Sequence, residues 1–124
     1  MRVLNVTGAC ADAMNQLAGG FDAALRSLLA GLAPKLPGMA YSLADSLGLT
    51  QDTLADPLAV GFVSSDSACC GSGRLGAQGE CTPAAALCPD RDRYVFWDAV
   101  HPTERASRLV AEHLINSTFG RFGN

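Results

Sequence analysis

The chain has 124 residues, 48% of them hydrophobic, and a formal net charge of −3. That length suits one domain with a modest core, and the composition excludes an intrinsically disordered chain. The acidic balance argues against a nucleic-acid partner, and no stretch approaches the ~20 apolar residues of a membrane span, so stable membrane insertion is not expected.

Over residues 10–33, apolar side chains fall at Met14, Leu17, Ala18, Phe21, Leu25, Leu28, Leu29 and Leu32. Steps of three and four place them on one helical face, with Asp12 as the N-cap and Gly31 and Pro34 as stop signals. Gly19 and Gly20 lie inside this helix and mark close packing or a bend. Pro37-Gly38 makes a turn, after which "MAYSLADSL" reads as a short strand ending near Asp45. "LTQDTLADP" reads as a short helix capped by Thr50 and ended by Pro57. Residues 60–93 show no sustained period and read as a long loop, of the kind that is stapled or functional. "YVFW" is an apolar, aromatic strand end. Pro102 suits the first position of a last helix, which would make His101 its N-cap and put Glu104 at N3. Ala106, Leu109, Val110, His113 and Leu114 form the stripe this helix is expected to bury. The order is α/β, with layers on a parallel sheet. Two or three strands are too few for a closed parallel sheet, so the chain reads as the back half of a larger domain, and poor stability is expected of it alone.

Cys69, Cys70, Cys81 and Cys88 crowd one Gly-, Ser- and Pro-rich segment. The pattern favours disulfides from an oxidising compartment over zinc, because an adjacent pair does not give the Cys-x2-4-Cys spacing of zinc sites. Four cysteines allow three pairings, which spacing does not decide. Cys10 has no neighbour in sequence. Two sequons, at Asn5 and Asn116, add glycosylation candidates. The opening "MRVLNVTGAC" has no apolar leader core, so a secretory cysteine pattern on a leaderless chain implies a missing N-terminal part.

Asp98 and His101 lie in the short gap between the aromatic strand and the last helix. A histidine there can act as general base, with an acid on Nδ1 fixing its tautomer, and the crevice beyond parallel strand ends is where ligands bind. A turn acid beside a helix-capping histidine has the same sequence. His113 reads as a packed residue, Trp97 as core beside the loop, Asp45 as a turn acid, Arg91, Asp92 and Arg93 as a solvated charge cluster, and Ser64, Ser65 and Ser67 as ordinary loop serines.

The run Phe96-Trp97-Asp98-Ala99-Val100-His101-Pro102-Thr103-Glu104, preceded by Ala68-Cys69-Cys70-Gly71, Cys81 and Cys88-Pro89-Asp90, resembles the C-terminal part of plant GDSL esterase/lipases, secreted members of the SGNH hydrolase superfamily. "FDAALRSLLAGLAPKLPG" and "DPLAVGF" resemble the same family, so the likeness spans nearly the whole chain. It implies a three-layer α/β/α, flavodoxin-like domain with a parallel sheet, of which residues 1–124 are the C-terminal portion. It also implies secretion, disulfides among the four clustered cysteines, and an upstream partner for Cys10. Asp98 and His101 would be the acid and base of a Ser-Asp-His triad acting on lipid or acylated-carbohydrate esters, small-molecule substrates, with no cofactor and no metal. The family's Gly-Asp-Ser nucleophile motif does not occur in this chain, nor does its Gly-x-Asn-Asp block. Without a serine and an oxyanion hole the isolated chain should be nearly inert. The other reading is a truncated, non-catalytic product or gene remnant, binding the missing N-terminal part or a full-length relative through an exposed sheet edge.

Overall fold

A computed structural model describes residues 12–119. They fall into two compact units, one within Met1–Leu47 and the other within Gly48–Asn124.

In the first unit, helix α1 spans Asp12–Leu32. The three-and-four spacing of its leucines produces it, and a 3₁₀ turn at Ala33–Lys35, with Pro34 in its first positions, ends it. The helix runs through Gly19 and Gly20 without interruption. A Cβ at either would meet nothing within 4 Å among the described residues. Arg26 bonds Asp22 one turn back at 2.9 Å and reaches Asp45 at 3.3 Å. No residue of α1 is buried, and Leu17 and Phe21 stand 69% and 70% exposed. The strand expected from Met39 to near Asp45 does not form. Residues 41–45 take no regular structure, and α2 begins at Ser46 and runs to Ala55, placing Thr50 inside the helix instead of at its cap. Asp45, of a residue type favoured at N-caps, stands just ahead of it.

The second unit is built around a parallel pair of strands. β1 spans Ser64–Ala68 and β2 spans Tyr94–Phe96, with Ser64 opposite Tyr94 and Ala68 opposite Phe96. The longer path on β1 is a bulge, and its cause is local. The Ser67 N–H donates to Ser64 Oγ at 3.2 Å, so a side chain takes a donor that a regular ladder would give to β2. The ladder resumes on both sides, with Val63 N donating to Arg93 O at 2.7 Å and Cys69 N to Phe96 O at 3.0 Å.

Pro57 ends α2 and opens a 3₁₀ turn, Pro57–Val60, whose first N–H groups are capped by Asp56 Oδ1 accepting from Ala59 N at 3.2 Å. Gly61, at φ +88°, reverses the chain into Phe62. Phe62 is fully buried and forms the core with Val95 of β2 and Ala106, flanked by Leu54, Val60, Phe96 and Leu109. Burying an aromatic or branched side chain of this kind stabilises by roughly 1.5–3 kcal/mol. The last helix, α3, spans Glu104–Phe119 and lies against β2 through Ala106 and Leu109. His113, expected on its buried stripe, is exposed; the stripe consists of Ala106, Leu109, Val110 and Leu114.

The cysteine-rich loop is stapled twice, by Cys69–Cys88 and Cys70–Cys81. All four cysteines are thus in disulfides, which removes the zinc alternative. The return leg pairs with the end of β1: Cys88 N donates to Cys69 O at 2.7 Å, and Leu87 bridges Cys70 in antiparallel fashion. The architecture is α/β with a parallel sheet, as expected. Among the described residues the sheet has two strands and is open, consistent with part of an α/β/α domain.

Candidate active site

The end of β2 is held on both edges. On one, Cys70 N donates to Trp97 O at 2.6 Å, continuing the parallel ladder past the strand. On the other, the chain doubles back: Trp97 N donates to His101 O at 2.9 Å, Pro102 bridges Phe96, and Thr103 N donates to Val95 O at 2.9 Å. Residues 98–100 form the tip of this fold-back.

Asp98 organises the tip. Its Oδ1 accepts from Val100 N at 2.8 Å and from His101 N at 2.7 Å, an Asx turn that explains why an aspartate stands here. The same carboxylate meets the imidazole: His101 Nδ1 lies 2.8 Å from Oδ2 and 3.0 Å from Oδ1. Burial pushes the Asp98 carboxyl up. The N–H of His101, its imidazole, the N–H of Val100 and the histidine's charge together outweigh that, so Asp98 lies below its ordinary value. The carboxylate side chain is 22% exposed and the imidazole 72% exposed. Asp98 is therefore tucked in and His101 projects outward. With the carboxylate on Nδ1, the histidine's proton is held there and Nε2 is left as the basic nitrogen.

His101 does not cap α3. Thr103 does: its Oγ1 accepts from Ala106 N at 3.2 Å, and its carbonyl accepts the first helical bond from Ser107 N at 2.9 Å. The bridge between Phe96 and Pro102 keeps residue 102 extended, so the helix starts two residues later than proline at N1 predicts. Glu104 then opens the helix and pairs with Arg108 at 2.8 Å. Thr103 is 2% exposed, and its hydroxyl also donates to Tyr94 O at 2.7 Å. Sequence reasoning missed it. The available signal was a threonine directly before the apolar period of the last helix, itself a start signal.

The other singled-out residues are dispersed. Ser64 and Ser67 hydrogen-bond to one another on β1, and Ser64 also donates to Asp66 at 3.2 Å. Asp45 faces Arg26 in the first unit. Trp97 is half-buried beneath the Arg91 guanidinium, 5.3 Å from its ring centroid, a contact the solvated-cluster reading of Arg91 did not foresee. Asn116 is exposed on α3. Asn5 and Cys10 lie outside the described residues. Among the described residues no group of three or more His, Cys, Asp or Glu could hold a metal ion, and no helix is long and apolar enough to cross a membrane.

A tautomer-fixed histidine beyond a parallel strand end can take a proton from a hydroxyl and return it. Comparisons with known proteins place the chain in a family. The family model described as GDSL-like Lipase/Acylhydrolase matches residues 1–114. One GDSL esterase/lipase of Arabidopsis thaliana is 40% identical over 114 residues, which is 92% of this chain and 31% of the relative. A second from the same plant is 38% identical over 114 residues, again 92% and 31%. GDSL esterase/lipase 7 of Arabidopsis thaliana is 37% identical over 120 residues, 97% of this chain and 32% of the relative. The chain thus spans about a third of the length of the curated relatives it matches.

Proposed function

The chain belongs to the GDSL-like lipase/acylhydrolase family, and from that premise we propose that it carries the acid–base half of a serine ester hydrolase. His101 Nε2 takes the proton from a serine hydroxyl as the serine oxygen bonds to the ester carbonyl carbon. The proton then passes to the departing alcohol as the carbon–oxygen bond breaks, and water attacks the acyl-enzyme by the same route. Asp98 holds the imidazole in the required tautomer and stabilises it when charged. The serine and the oxyanion donors come from a segment outside these 124 residues, since no Gly-Asp-Ser occurs in them. The observation that carries this reading is the 2.8 Å contact of Asp98 with His101 Nδ1 on an outward-facing imidazole.

In this reading residues 1–124 are the C-terminal portion of one secreted hydrolase domain. Its substrates are carboxylic esters of lipid or acylated carbohydrate, it needs no cofactor, and Asn5 and Asn116 are its glycosylation sites. The test joins the chain to the Gly-Asp-Ser-bearing segment of its own transcript and assays p-nitrophenyl esters. Activity should appear, and His101→Ala should lower kcat by about 10²–10⁴-fold, the range for general acid–base groups. Unchanged kcat in His101→Ala would sink the reading. The two-stranded sheet, whose β2 is covered by the fold-back over residues 101–103, favours a second one, a non-catalytic product that pairs through the outer edge of β1. A monomeric 124-residue chain by analytical ultracentrifugation, alone and with a full-length relative, would eliminate it.

A further inference from the structure

The exposed imidazole of His101 poses a positional problem. With 72% of the side chain in solvent, packing cannot hold it, so its place must come from its backbone and from Asp98. Asp98 accounts for the near side only. It closes the turn over residues 98–101, but a local turn does not by itself fix where that turn stands against the strand. The far side is closed two residues on, at Thr103. There one buried residue makes four hydrogen bonds. Its N–H goes to Val95 O at 2.9 Å and its hydroxyl to Tyr94 O at 2.7 Å. The same hydroxyl accepts from Ala106 N at 3.2 Å, and its carbonyl from Ser107 N at 2.9 Å. The hydroxyl alone therefore ties the first residue of β2 to the first turn of α3, and the segment carrying His101 is strung between that knot and Trp97 N.

We infer that Thr103 is a positioning residue for His101: its buried hydroxyl pins the fold-back after β2, and so sets where the imidazole meets Asp98. Its catalytic consequence rests on the hydrolase reading above; its structural content does not. Valine at this position keeps the shape and removes both side-chain hydrogen bonds, taking the cap from the buried Ala106 N and the hydroxyl from Tyr94 O. Serine keeps the hydroxyl and sheds only the methyl. The fold-back then loosens in one variant and holds in the other.

The experiment uses the oxidised 124-residue chain and two nuclear-magnetic-resonance readouts that need no substrate. One is the imidazole nitrogen shifts of His101, which report whether the neutral ring carries its proton on Nδ1. The other compares hydrogen exchange at two amides, Trp97 N–H on the His101 edge and Cys70 N–H on the opposite edge. Thr103→Val should mix the tautomers. It should also speed Trp97 exchange about 5–30-fold relative to Cys70, the factor for losing one or two buried hydrogen bonds. Thr103→Ser should match the parent on both. An unchanged tautomer in Thr103→Val overturns the inference, as does a uniform rise in exchange at both amides, which is what simple destabilisation gives. If Thr103→Val does not fold, Thr103→Ser decides: parental readouts support the hydroxyl as the anchor, and shifted ones refute it. An inert joined enzyme would sink the hydrolase reading and leave these readouts unmoved.

Discussion

Reducing both disulfides should unfold the second unit. Cys69–Cys88 closes a sequence separation of 19 and Cys70–Cys81 one of 11. Loop-closure entropy puts the outer bridge at ~3.2 kcal/mol and the inner at ~2.8 kcal/mol when each acts alone. They are nested, so they do not add. Once the inner bridge exists, the outer one has only roughly nine links left to close and contributes ~2.6 kcal/mol, for a pair worth about 5 kcal/mol. A folded unit of this size has a net stability of roughly 4–12 kcal/mol, so the bridges supply much of what it has. The core gives the same message from the other side, since Phe62, Val95 and Ala106 are its buried apolar centre. Position adds to magnitude. The two buried cysteines, Cys69 and Cys70, are the residues whose N–H groups hold Phe96 O and Trp97 O, so loosening them releases the strand end that carries Asp98. The assay is urea unfolding followed by fluorescence of the single tryptophan, Trp97, with and without reductant. In reductant without urea, the emission should already match that of the urea-unfolded chain. A reduced chain that unfolds at the oxidised midpoint with the same m-value would refute the reasoning.

Two further outcomes follow from single residues. Asp98 lies below its ordinary pKa in the folded chain, while an unfolded aspartate titrates near ~3.9. Its contribution to stability is therefore complete above that value and disappears as pH falls through the lower, native one. Urea midpoints measured between about pH 2 and 6 should drop less on acidification in Asp98→Asn than in the parent, and parallel curves would show the depression to be absent. Gly71 sits at φ +135°, and a Cβ there would stand 2.3 Å from Gly76 O. Gly71→Ala should lose at least ~1–3 kcal/mol from backbone strain alone, read as a lower urea midpoint; a midpoint unchanged from the parent would mean the loop relaxes freely.

Much of this architecture was legible in single residues, and the failures share one physical cause. The leucine spacing of 14–32 gave α1, and the aromatic run before Asp98 gave β2, because both patterns are intrinsic to the segment. β1 was not readable. Its sequence, Ser-Ser-Asp-Ser-Ala, has no apolar period, and it is a strand because β2 offers it partners and Ser64 absorbs the misfit. "MAYSLADSL" looks more like a strand and is not one: residues 39–45 take no regular structure, and only its last two residues enter α2. The start of α3 failed in the same way. Proline at N1 is sound local chemistry, but the pairing of Pro102 with Phe96 overrules it and passes the cap to Thr103. Asp98 and His101 were legible as a pair because three residues on a tight turn can hardly avoid each other. The anchors around them were not, because Tyr94 O, Val95 O and Trp97 N are backbone groups that no sequence pattern marks.

That arrangement bears on what a chain of this extent can do. Among the described residues, the contacts that shape the Asp98–His101 pair come from the second unit: the strand pairing, the two disulfides, the cap at Thr103 and the small core beneath. In the proposed reading the acid–base half is thus preorganised by these surroundings. A proton relay supplies about 10²–10⁴-fold of an ester hydrolase's acceleration, whereas complete enzymes reach at least about 10⁶-fold. The remainder belongs to the nucleophile and to the donors that meet the developing oxyanion, which are typically the largest contribution. In the proposed reading the catalytic machinery therefore divides along the chain: a pre-set base on this side, and attack and charge stabilisation on the other. Joining the two should cost little reorganisation at His101, so the imidazole nitrogen shifts of the joined enzyme should match those of the 124-residue chain. Shifts that change tautomer on joining would mean that the upstream segment, and not Thr103 and Asp98, sets the base.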